Sequence, residues 1–433
     1  MEPVVAGLLS VVVLLISILV SRIPVGFAMA VIGLGGYALI MGPGPAMSML
    51  GGEVWSVFSN YGLTVIPFFI LMGQICFYSG VNERLYKAVY AWFGHIRGGI
   101  AIATVLACAG FSAICGSNTA TAATMSTVAL PQMRQYGYKA ILSAGAVAAG
   151  STLGVLIPPS VVLIVIGLQT GESIGRLFMG GLLPGLLLMA LFVATISVLC
   201  RRNPAWGPVG PRTGWKARFA ALPGSVEILV LFALVMGGLF YGLFTPTEAG
   251  AAGAAIALMI SMVTGNMSVD KFRESVSDTL RISSMIMVIL LGAVIYGKFL
   301  AITNLPFAVA EWITGLAVPP VVIILLICAI YAVGGMIMDA LALLLVTIPI
   351  FFPVVQAMQY DPIWFSVLIT VVTTMGAITP PVGVTAFVVA AAVPEGGVNT
   401  VFRGVSYFLA AYVLCVTLLL IFPAIVTWLP SLM

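Results

Sequence analysis

Residues 152–159 read Thr-Leu-Gly-Val-Leu-Ile-Pro-Pro, and residues 374–381 read Thr-Met-Gly-Ala-Ile-Thr-Pro-Pro. The two strings are 374 − 152 = 222 positions apart, and the same separation carries Pro131 onto Pro353, each closing an apolar stretch. Further upstream, Trp92 corresponds to Trp312 at a separation of 220. Gly, Pro and Trp residues thus recur at nearly the same separation. This recurrence indicates two repeats of one structural unit, rather than two similar strings that arose by chance in a Gly- and Pro-rich chain.

The composition places both repeats in a membrane. The 433 residues are 62% hydrophobic and 7% charged, whereas a soluble domain has about 25% charged residues. Because so few charges cannot cover a globular surface of this size, lipid must be the solvent for much of the chain. The 47 Gly and 25 Pro residues fit this class, since transmembrane helices tolerate both. We expect an all-α polytopic membrane protein.

Side chains that could carry catalysis are scarce. The six cysteines lie in apolar stretches without CxxC spacing, which indicates small core residues rather than a disulfide set or a metal site. His95 is the only histidine, and one histidine cannot build a zinc site or a proton relay. We therefore expect no enzyme activity, no organic cofactor and no nucleic-acid partner.

Eight apolar stretches are long enough to cross ~30 Å of hydrocarbon, and they begin near residues 3, 25, 55, 178, 225, 248, 277 and 403. Four further apolar stretches carry polar, Gly and Pro clusters midway, and they cover 98–131, 140–168, 319–355 and 363–393. We interpret 98–131 and 319–355 as re-entrant hairpins and the other two as broken helices. The arms of the first hairpin look too short to span the membrane separately. Amphipathic stretches at 82–95 and 305–315 precede the hairpins and predict interfacial braces.

The distribution of basic residues sets the orientation. If both hairpins are re-entrant and both termini are periplasmic, fourteen of the 17 basic residues fall on the cytoplasmic side, as the positive-inside rule requires. These fourteen are Arg22, Arg84, Lys87, Arg97, Arg134, Lys139, Arg201, Arg202, Arg212, Lys216, Arg218, Lys271, Arg273 and Arg403. The two repeats then enter from opposite faces, and such inverted repeats are typical of secondary transporters. The first apolar run, 4–20, lacks a basic leader and predicts a retained span rather than a signal peptide.

The first candidate site is the cluster Gly116-Ser117-Asn118-Thr119, midway through the first hairpin. Helix-breaking backbone at membrane depth is tolerated only when it is buried in protein or lines a cavity. Backbone carbonyls with Ser, Thr and Asn oxygens form a natural cage for Na⁺, a hard cation. The alternative is that these residues only cap the second arm, and the two roles are compatible.

The second candidate site is the pair of double prolines. Pro158-Pro159 follows Gly150-Ser151-Thr152-Leu153-Gly154, and Pro380-Pro381 follows Thr373-Thr374-Met375-Gly376 with Thr379 directly before it. Paired prolines remove two N–H donors and force extended backbone before them. Both segments are therefore expected to break and to leave carbonyls free to face an ion.

The third candidate is the tip of the second hairpin, Gly334-Gly335-Met336-Ile337-Met338-Asp339. An acidic residue deep in the membrane is by default functional, because its burial is costly. Asp339 could ligate Na⁺, cap the following arm or carry a proton. Glu248, in Thr245-Pro246-Thr247-Glu248, instead predicts ordinary helix initiation.

Taken together, these motifs resemble the large membrane subunit of TRAP (tripartite ATP-independent periplasmic) transporters. The resemblance covers about residues 3–430 and is carried by IPFFILMG at 66–73, GSNTAT at 116–121, LGVLIPPS at 153–160, LFMGGLLPG at 177–185, TPTEA at 245–249 and TPPVG at 379–383.

The resemblance implies an ion-transporter-superfamily fold with an elevator mechanism, in which a transport domain slides against a scaffold. The expected division is scaffold and arm helix at 1–97, transport halves at 98–176 and 319–398, scaffold with a basic cytoplasmic joint and second arm helix at 177–318, and a C-terminal scaffold helix at 399–433.

The resemblance also implies the ligand sets. The first Na⁺ site would be Ser117, Asn118, Thr152 and Gly154 with neighbouring carbonyls, and the second would be Gly335, Asp339, Gly376, Thr379 and Pro380. Substrate carboxylate would lie between the hairpin tips, near Asn118, Thr119, Pro158, Ser160, Thr374, Pro381 and Thr385. The second tip has Met338-Asp339-Ala340 where the first has Gly116-Ser117-Asn118, so the two ion sites need not be equivalent.

The implied function is Na⁺-driven import of an organic acid across the bacterial inner membrane. The implied partners are a small four-helix membrane subunit and a periplasmic substrate-binding protein, both expected as separate polypeptides. The alternative is a single-component Na⁺/carboxylate symporter of the same superfamily that works without a binding protein. C4-dicarboxylates, sialic acid, other sugar acids, ectoine and keto acids are all open as substrates.

Overall fold

The structure is a computed structural model that describes residues 3–21, 23–210, 214–315, 318–393 and 396–433. Within these residues the secondary structure is entirely helical, which confirms the all-α prediction. The first half of the chain forms α1 (Pro3–Ser21), α2 (Val25–Met41), α3 (Pro43–Phe58), α4 (Val65–Tyr78), α5 (Val81–Phe93), α6 (Gly99–Cys115), α7 (Asn118–Gln135), α8 (Ala140–Ser151), α9 (Leu153–Leu156), α10 (Val161–Thr170) and α11 (Ile174–Arg202).

The second half of the chain repeats this order. It forms α12 (Trp215–Ala221), α13 (Pro223–Phe240), α14 (Pro246–Val263), α15 (Val269–Ile302), α16 (Leu305–Thr314), α17 (Pro320–Ile337), α18 (Ala340–Ala357), α19 (Pro362–Gly376), α20 (Val384–Ala390), α21 (Gly397–Ile421) and α22 (Ala424–Thr427). Short 3₁₀ helices lie at Tyr61–Thr64, Pro204–Trp206 and Pro430–Leu432.

The spacing of 222 residues recurs in the helix boundaries. Helices α7 and α18 are each 18 residues long and begin 340 − 118 = 222 positions apart. Helices α8 and α19 begin 362 − 140 = 222 positions apart. The packing follows the same pairing, since α2 lies against α15 while α14 lies against α4. The two halves are therefore structural repeats.

Both expected hairpins break where the sequence placed the break. Hairpin 1 (α6 and α7) turns at Gly116 and Ser117, and hairpin 2 (α17 and α18) turns at Met338 and Asp339. The backbone N–H of Ile100, at the start of α6, donates to Tyr138 Oη beyond the end of α7 at 3.2 Å, so the two ends of hairpin 1 lie together.

The hairpin arms are longer than the sequence suggested. The arms of hairpin 1 have 17 and 18 residues, because α7 continues through Pro131 to Gln135. Likewise Pro353 lies inside α18 rather than closing it. Both prolines lie inside helices, and each removes one backbone hydrogen bond there. Membrane helices tolerate this loss, because neighbouring groups can satisfy the freed carbonyl.

The expected broken helices are also present. Broken helix 1 (α8, α9 and α10) opens at 157–160, and broken helix 2 (α19 and α20) opens at 377–383. The peptide bonds Pro158–Pro159 and Pro380–Pro381 are both cis. One earlier boundary was wrong: the stretch expected to begin near residue 55 is two elements, α3 and α4, separated around Ser59 and Asn60.

The sequence-based division assigns 177–318 and 399–433, and with them α11 and α21, to the scaffold, and this division stays a prediction. Helix α11 contacts α6, α8, α9, α10, α19 and α21, and α21 contacts α8, α19 and α20. By these contacts we group both with the hairpins and broken helices, and this group is here called the hairpin unit. Helices α1 to α4 and α13 to α16 are here called the scaffold, and Arg84 of α5 pairs with Glu227 of α13 at 2.7 Å.

Nine helical segments of the described chain are apolar and long enough to cross a membrane, and four shorter helices are also apolar. Large apolar side chains are widely exposed on α1, α13 and α17, as expected where lipid is the solvent. The chain is thus a multi-pass membrane protein. Arg22 and Arg212, two of the fourteen basic residues predicted to be cytoplasmic, lie outside the described residues.

The crossing of α8 and α21 predicts a specific intolerance. A Cβ atom at Gly145 would lie 2.6 Å from the Gly404 carbonyl carbon, whereas one at Gly237 of α13 would meet nothing within 4 Å. We expect Gly145→Ala to destabilise the protein by about 1–3 kcal/mol through overpacking. Gly237→Ala, the matched control, should be neutral or stabilising by up to ~1 kcal/mol. Thermal unfolding of both purified variants in detergent measures this, and equal stability would contradict the α8–α21 contact.

Candidate functional site

A cavity of about 590 Å³ lies where the two hairpin tips meet the scaffold. The hairpin unit contributes 115–120, Ala123, Val155, Val161, Val162, 339–341, Val384 and Val388 to its wall, and the scaffold contributes Ile70, Gly73, Gln74, Ile282, Met285 and Ile286. The cavity therefore brings residues from both repeats to one place. It also opens along the boundary between the hairpin unit and the scaffold.

Four helices point their N-terminal ends at this cavity. The first residues of α7, α10, α18 and α20 all line it. N-terminal ends carry free N–H groups and partial positive charge, which favour a bound anion. No Lys, Arg or His side chain is among the described lining residues, so helix ends and polar side chains must supply the recognition of an anion.

The tip of hairpin 1 is a dense cluster of oxygen atoms. Ser117 caps α7, and its Oγ accepts from the Ala120 N–H at 3.4 Å and lies 3.2 Å from Thr119 Oγ1. The Ser117 carbonyl accepts from the Thr121 hydroxyl at 2.8 Å. The capping role is therefore confirmed for Ser117, and Ser117 and Thr119 both line the cavity.

Asn118 is the unsatisfied member of this tip. Its side chain is buried, with 6% exposed, and its Oδ1 is a buried acceptor with no hydrogen-bond partner among the described residues. A buried acceptor without a partner is costly, by about 1–3 kcal/mol. A cation bound at this oxygen would remove the cost, so the arrangement fits the predicted role of Asn118 as an ion ligand.

Glycines allow the backbone of broken helix 1 to touch this tip. A Cβ atom at Gly154 would lie 2.9 Å from the Ser117 carbonyl oxygen and 3.2 Å from Thr121 Oγ1. Gly116, in the left-handed region at φ +61°, would place a Cβ atom 2.8 Å from the Pro159 carbonyl oxygen. Only residues without a side chain permit both approaches. The structure thus places Gly154 beside Ser117, as the predicted first ion site requires.

The tip of hairpin 2 is built on the same plan. A Cβ atom at Gly335 would lie 2.6 Å from the Thr373 carbonyl oxygen, and one at Gly376 would lie 2.6 Å from the Ala332 carbonyl oxygen. The Gly383 N–H donates to the Met336 carbonyl at 3.0 Å. Broken helix 2 is therefore packed against this tip through its backbone.

Asp339 occupies the position that Ser117 has in hairpin 1, since 339 − 117 = 222. It caps α18, and its Oδ2 accepts from the Leu341 N–H at 3.1 Å. The residue is exposed to the cavity although it lies deep within the protein. Capping is therefore observed, and Asp339 lines the same cavity as Asn118.

Several predicted site residues do not reach the cavity wall. Thr152 donates to the Ala149 carbonyl at 2.5 Å and accepts a hydrogen bond from Tyr412 of α21. Thr374 donates to the Val371 carbonyl at 2.8 Å, and both threonines are fully buried. The described part of the wall also omits Gly154, Pro158, Ser160, Gly335, Gly376, Thr379, Pro380, Pro381 and Thr385, although the next residue after Gly154 and Ser160 and the residue before Thr385 line it. Ser160 caps α10 by accepting from the Leu163 N–H at 3.3 Å.

The residues that the scaffold contributes to the cavity were not predicted from the sequence. Gln74 is the one amide in the apolar helix α4 and lines the wall. A single polar residue in an apolar span is a sequence signal for a residue that lines a polar site. The apolar residues Ile282, Met285 and Ile286 carry no such signal, because any lipid-facing helix contains similar residues.

The donor set suits a hard monovalent cation rather than a transition metal. Among the residues that the structure describes, no group of three or more His, Cys, Asp or Glu side chains could hold a metal ion. Carbonyl, hydroxyl and amide oxygens with at most one carboxylate are ligands for hard cations. The oxygen atoms of both tips are therefore of the type that a hard cation prefers.

Comparisons with known proteins point to one family over nearly the whole chain. The family described as "Tripartite ATP-independent periplasmic transporter, DctM component" matches residues 12–425. The C4-dicarboxylate TRAP transporter large permease protein DctM of Pseudomonas aeruginosa is 33% identical over 404 residues, which is 92% of each chain. The sialic acid TRAP transporter large permease protein SiaM of Vibrio cholerae is 30% identical over 421 residues, covering 96% of this chain and 97% of SiaM.

A solved structure shows a similar fold. The YdaH transporter of Alcanivorax borkumensis superposes with a TM-score of 0.64 over 98% of each chain, at 16% identity. This likeness shows that the two chains share one overall fold.

The cap formed by Asp339 predicts how two substitutions differ. Asp339→Ala removes the side chain that accepts from the Leu341 N–H and should destabilise the protein by about 1 kcal/mol. Asp339→Asn keeps a good capping side chain and removes the charge, so its stability should equal or exceed that of the parent. Thermal unfolding in detergent compares the two. An equal loss of stability in both variants would show that the charge, not the cap, holds the tip.

Proposed function

This chain belongs to the DctM component family of tripartite ATP-independent periplasmic transporters, and we propose that it is the permease subunit that imports an organic acid across the inner membrane together with Na⁺. The observation that carries this proposal is the cavity between the hairpin tips. Four helix N-termini face it, and no basic side chain of the described residues lines it. Such a site holds a carboxylate by backbone dipoles and by a nearby cation.

Sodium is the proposed coupling ion. The first site would use Ser117 and Asn118 with the Ser117 carbonyl beside Gly154, because Asn118 Oδ1 otherwise lacks a partner. The second would use Asp339 and the backbone where Gly335 meets Gly376. Binding of Na⁺ would fix the hairpin tips and thereby raise the affinity for the anion. By linkage the anion would raise the affinity for Na⁺ by the same factor.

Alternating access would follow from sliding of the hairpin unit against the scaffold. A second cavity of about 480 Å³ separates α10 and α18 of the hairpin unit from α3 and α15 of the scaffold, with Glu53, Gln169 and Gln356 in its wall. Free space at this boundary would allow the unit to move without breaking its own packing. Because α11 and α21 pack on the broken helices, we include both in the moving unit.

The proposed partners follow from the family. Tripartite transporters comprise a large permease, a small membrane subunit and a periplasmic binding protein, so substrate would reach the cavity from that protein. Related permeases are named for C4-dicarboxylates and for sialic acid, and both are carboxylates. A single-component Na⁺/carboxylate symporter is the alternative, and uptake by this chain alone in proteoliposomes would favour it.

Substitution at the first tip tests the role of Na⁺. Asn118→Ala and Ser117→Ala should each raise the Na⁺ concentration for half-maximal uptake by about tenfold or more, because each removes an oxygen that contacts the ion. Their combination should abolish Na⁺-dependent uptake while the protein still folds. The measurement is uptake into proteoliposomes that contain both membrane subunits, with the binding protein added, over a range of Na⁺ concentrations.

A matched control is Thr195→Ala. Thr195 donates only to the Leu191 carbonyl of its own helix, α11, and lies away from the cavity. Its Na⁺ dependence should be unchanged. A normal Na⁺ dependence in the double variant at the hairpin tip would remove Ser117 and Asn118 from the ion site.

A further inference from the structure

A cluster of aromatic and basic side chains lies at the end of α5, and none of its members lines the cavity. It consists of Trp92, His95, Trp215, Arg218 and Phe219 and is here called the aromatic–arginine cluster. Trp92 makes edge contacts with Trp215 and Phe219, at 6.3 and 5.9 Å between ring centroids. The Arg218 guanidinium lies 5.1 Å from the Trp215 ring centroid, and its Nη2 is 3.1 Å from His95 Nδ1.

Two hydrogen-bond donors in this cluster have no acceptor among the residues that the structure describes. Trp92 Nε1 and Arg218 Nε are both buried atoms without a partner in the described chain. Both groups can only donate, so neither can be satisfied by another donor. Two unsatisfied donors in one cluster indicate an absent acceptor that is shared or adjacent.

The carboxylates of the helices that carry or contact this cluster are already engaged. Glu83 of α5 is paired with Lys87 at 2.7 Å, and Glu227 of α13 is paired with Arg84 at 2.7 Å. Helix α12, which carries Trp215, Arg218 and Phe219, contains no acidic residue. The absent acceptor must therefore come from outside these helices.

The exposed rim of the cluster is suited to a lipid. Trp215 is 67% exposed and Phe219 is 58% exposed. Phe93 and Ile96 on the neighbouring turn are also exposed, and so are the charged residues Arg97 and Lys216. Tryptophan and arginine at one level are typical of a membrane–water interface, where basic side chains attract anionic headgroups.

We infer that this cluster binds the phosphate of an anionic phospholipid, in the leaflet on the side of the basic loops. The phosphate accepts hydrogen bonds from Trp92 Nε1 and Arg218 Nε, and the Trp215 and Phe219 rings lie beside the upper part of the lipid tails. A planar guanidinium recognises phosphate through several N–H groups at once. This assignment does not depend on the transported substrate.

The site is placed where a lipid could stabilise the supporting arm of hairpin 1. Helix α5 packs along α6, the first arm of that hairpin. The segment before α12 is tied to the α5–α6 turn, since the Gly210 N–H donates to the Gly94 carbonyl at 3.1 Å and the Gly98 N–H donates to the Gly207 carbonyl at 3.0 Å. A lipid that contacts both α5 and α12 therefore holds the segment that connects the two repeats against this arm.

The test is a titration of the full-length chain in detergent with phosphatidylglycerol or with phosphatidylcholine of the same acyl chains, followed by thermal unfolding. Phosphatidylglycerol should raise the melting temperature at lower concentration than phosphatidylcholine. Arg218→Gln should weaken the apparent affinity for phosphatidylglycerol by about fivefold, the effect of one basic residue near an anionic leaflet. Trp92→Phe, which retains most of the ring and removes the donor, should weaken it by about threefold.

The control is Lys271→Gln, an exposed basic residue whose Nζ donates to the Asn266 carbonyl at 3.0 Å. It should leave the preference for phosphatidylglycerol unchanged. Equal stabilisation by the two lipids, or a full preference in both cluster variants, would overturn the assignment. Stabilisation by inorganic phosphate alone would overturn the lipid source. Loss of the preference in the complex with the small membrane subunit would show that protein, not lipid, covers the cluster.

Discussion

A helix that breaks inside a membrane leaves backbone groups that neither water nor lipid can satisfy. Here the tip of each hairpin packs against the neighbouring broken helix, so that the interrupted backbones bury one another. Gly154 lets broken helix 1 touch the Ser117 carbonyl, and Gly335 and Gly376 let hairpin 2 and broken helix 2 meet backbone to backbone. The contacts are short enough to exclude a β-carbon. The position of the cavity, its oxygen-rich wall and the orientation of the half-helices all depend on this close packing.

The same packing determines the electrostatics of the site. When four interrupted helices begin at one cavity, their N-terminal dipoles add to a positive potential without any basic side chain. A lysine side chain would also bind an anion, but its permanent charge would keep the anion bound when release is required. In the proposed mechanism, fixed dipoles combined with a dissociable cation would make the affinity for the anion depend on the ion. Asp339 and Asn118 both belong to the wall of this cavity, one on each hairpin tip.

Much of this organisation could be predicted from the sequence, because Gly, Pro and polar residues in apolar segments have few structural explanations. The breaks at Gly116–Ser117 and Met338–Asp339, both double-proline interruptions and the repeat spacing were all located in this way. The roles of Thr152 and Thr374 could not be, since the turn of the helix carries these hydroxyls away from the cavity, toward Tyr412 in the case of Thr152. Nor could the packing of α11 and α21, because an apolar helix has the same composition whether it faces lipid, scaffold or hairpin.

The central claim is that the two hairpins are re-entrant and inverted, so that their tips meet from opposite faces. The most direct measurement is labelling of single cysteines, in intact cells and inverted vesicles, with a reagent that cannot cross the membrane. Exposed positions flank both hairpins: Arg97 and Gln135 beside hairpin 1, and Pro319 and Gln359 beside hairpin 2. Cysteines at the first pair should both react from the cytoplasmic face, and those at the second pair both from the periplasmic face. If the members of either pair react from opposite faces, that hairpin crosses the membrane and the account is wrong.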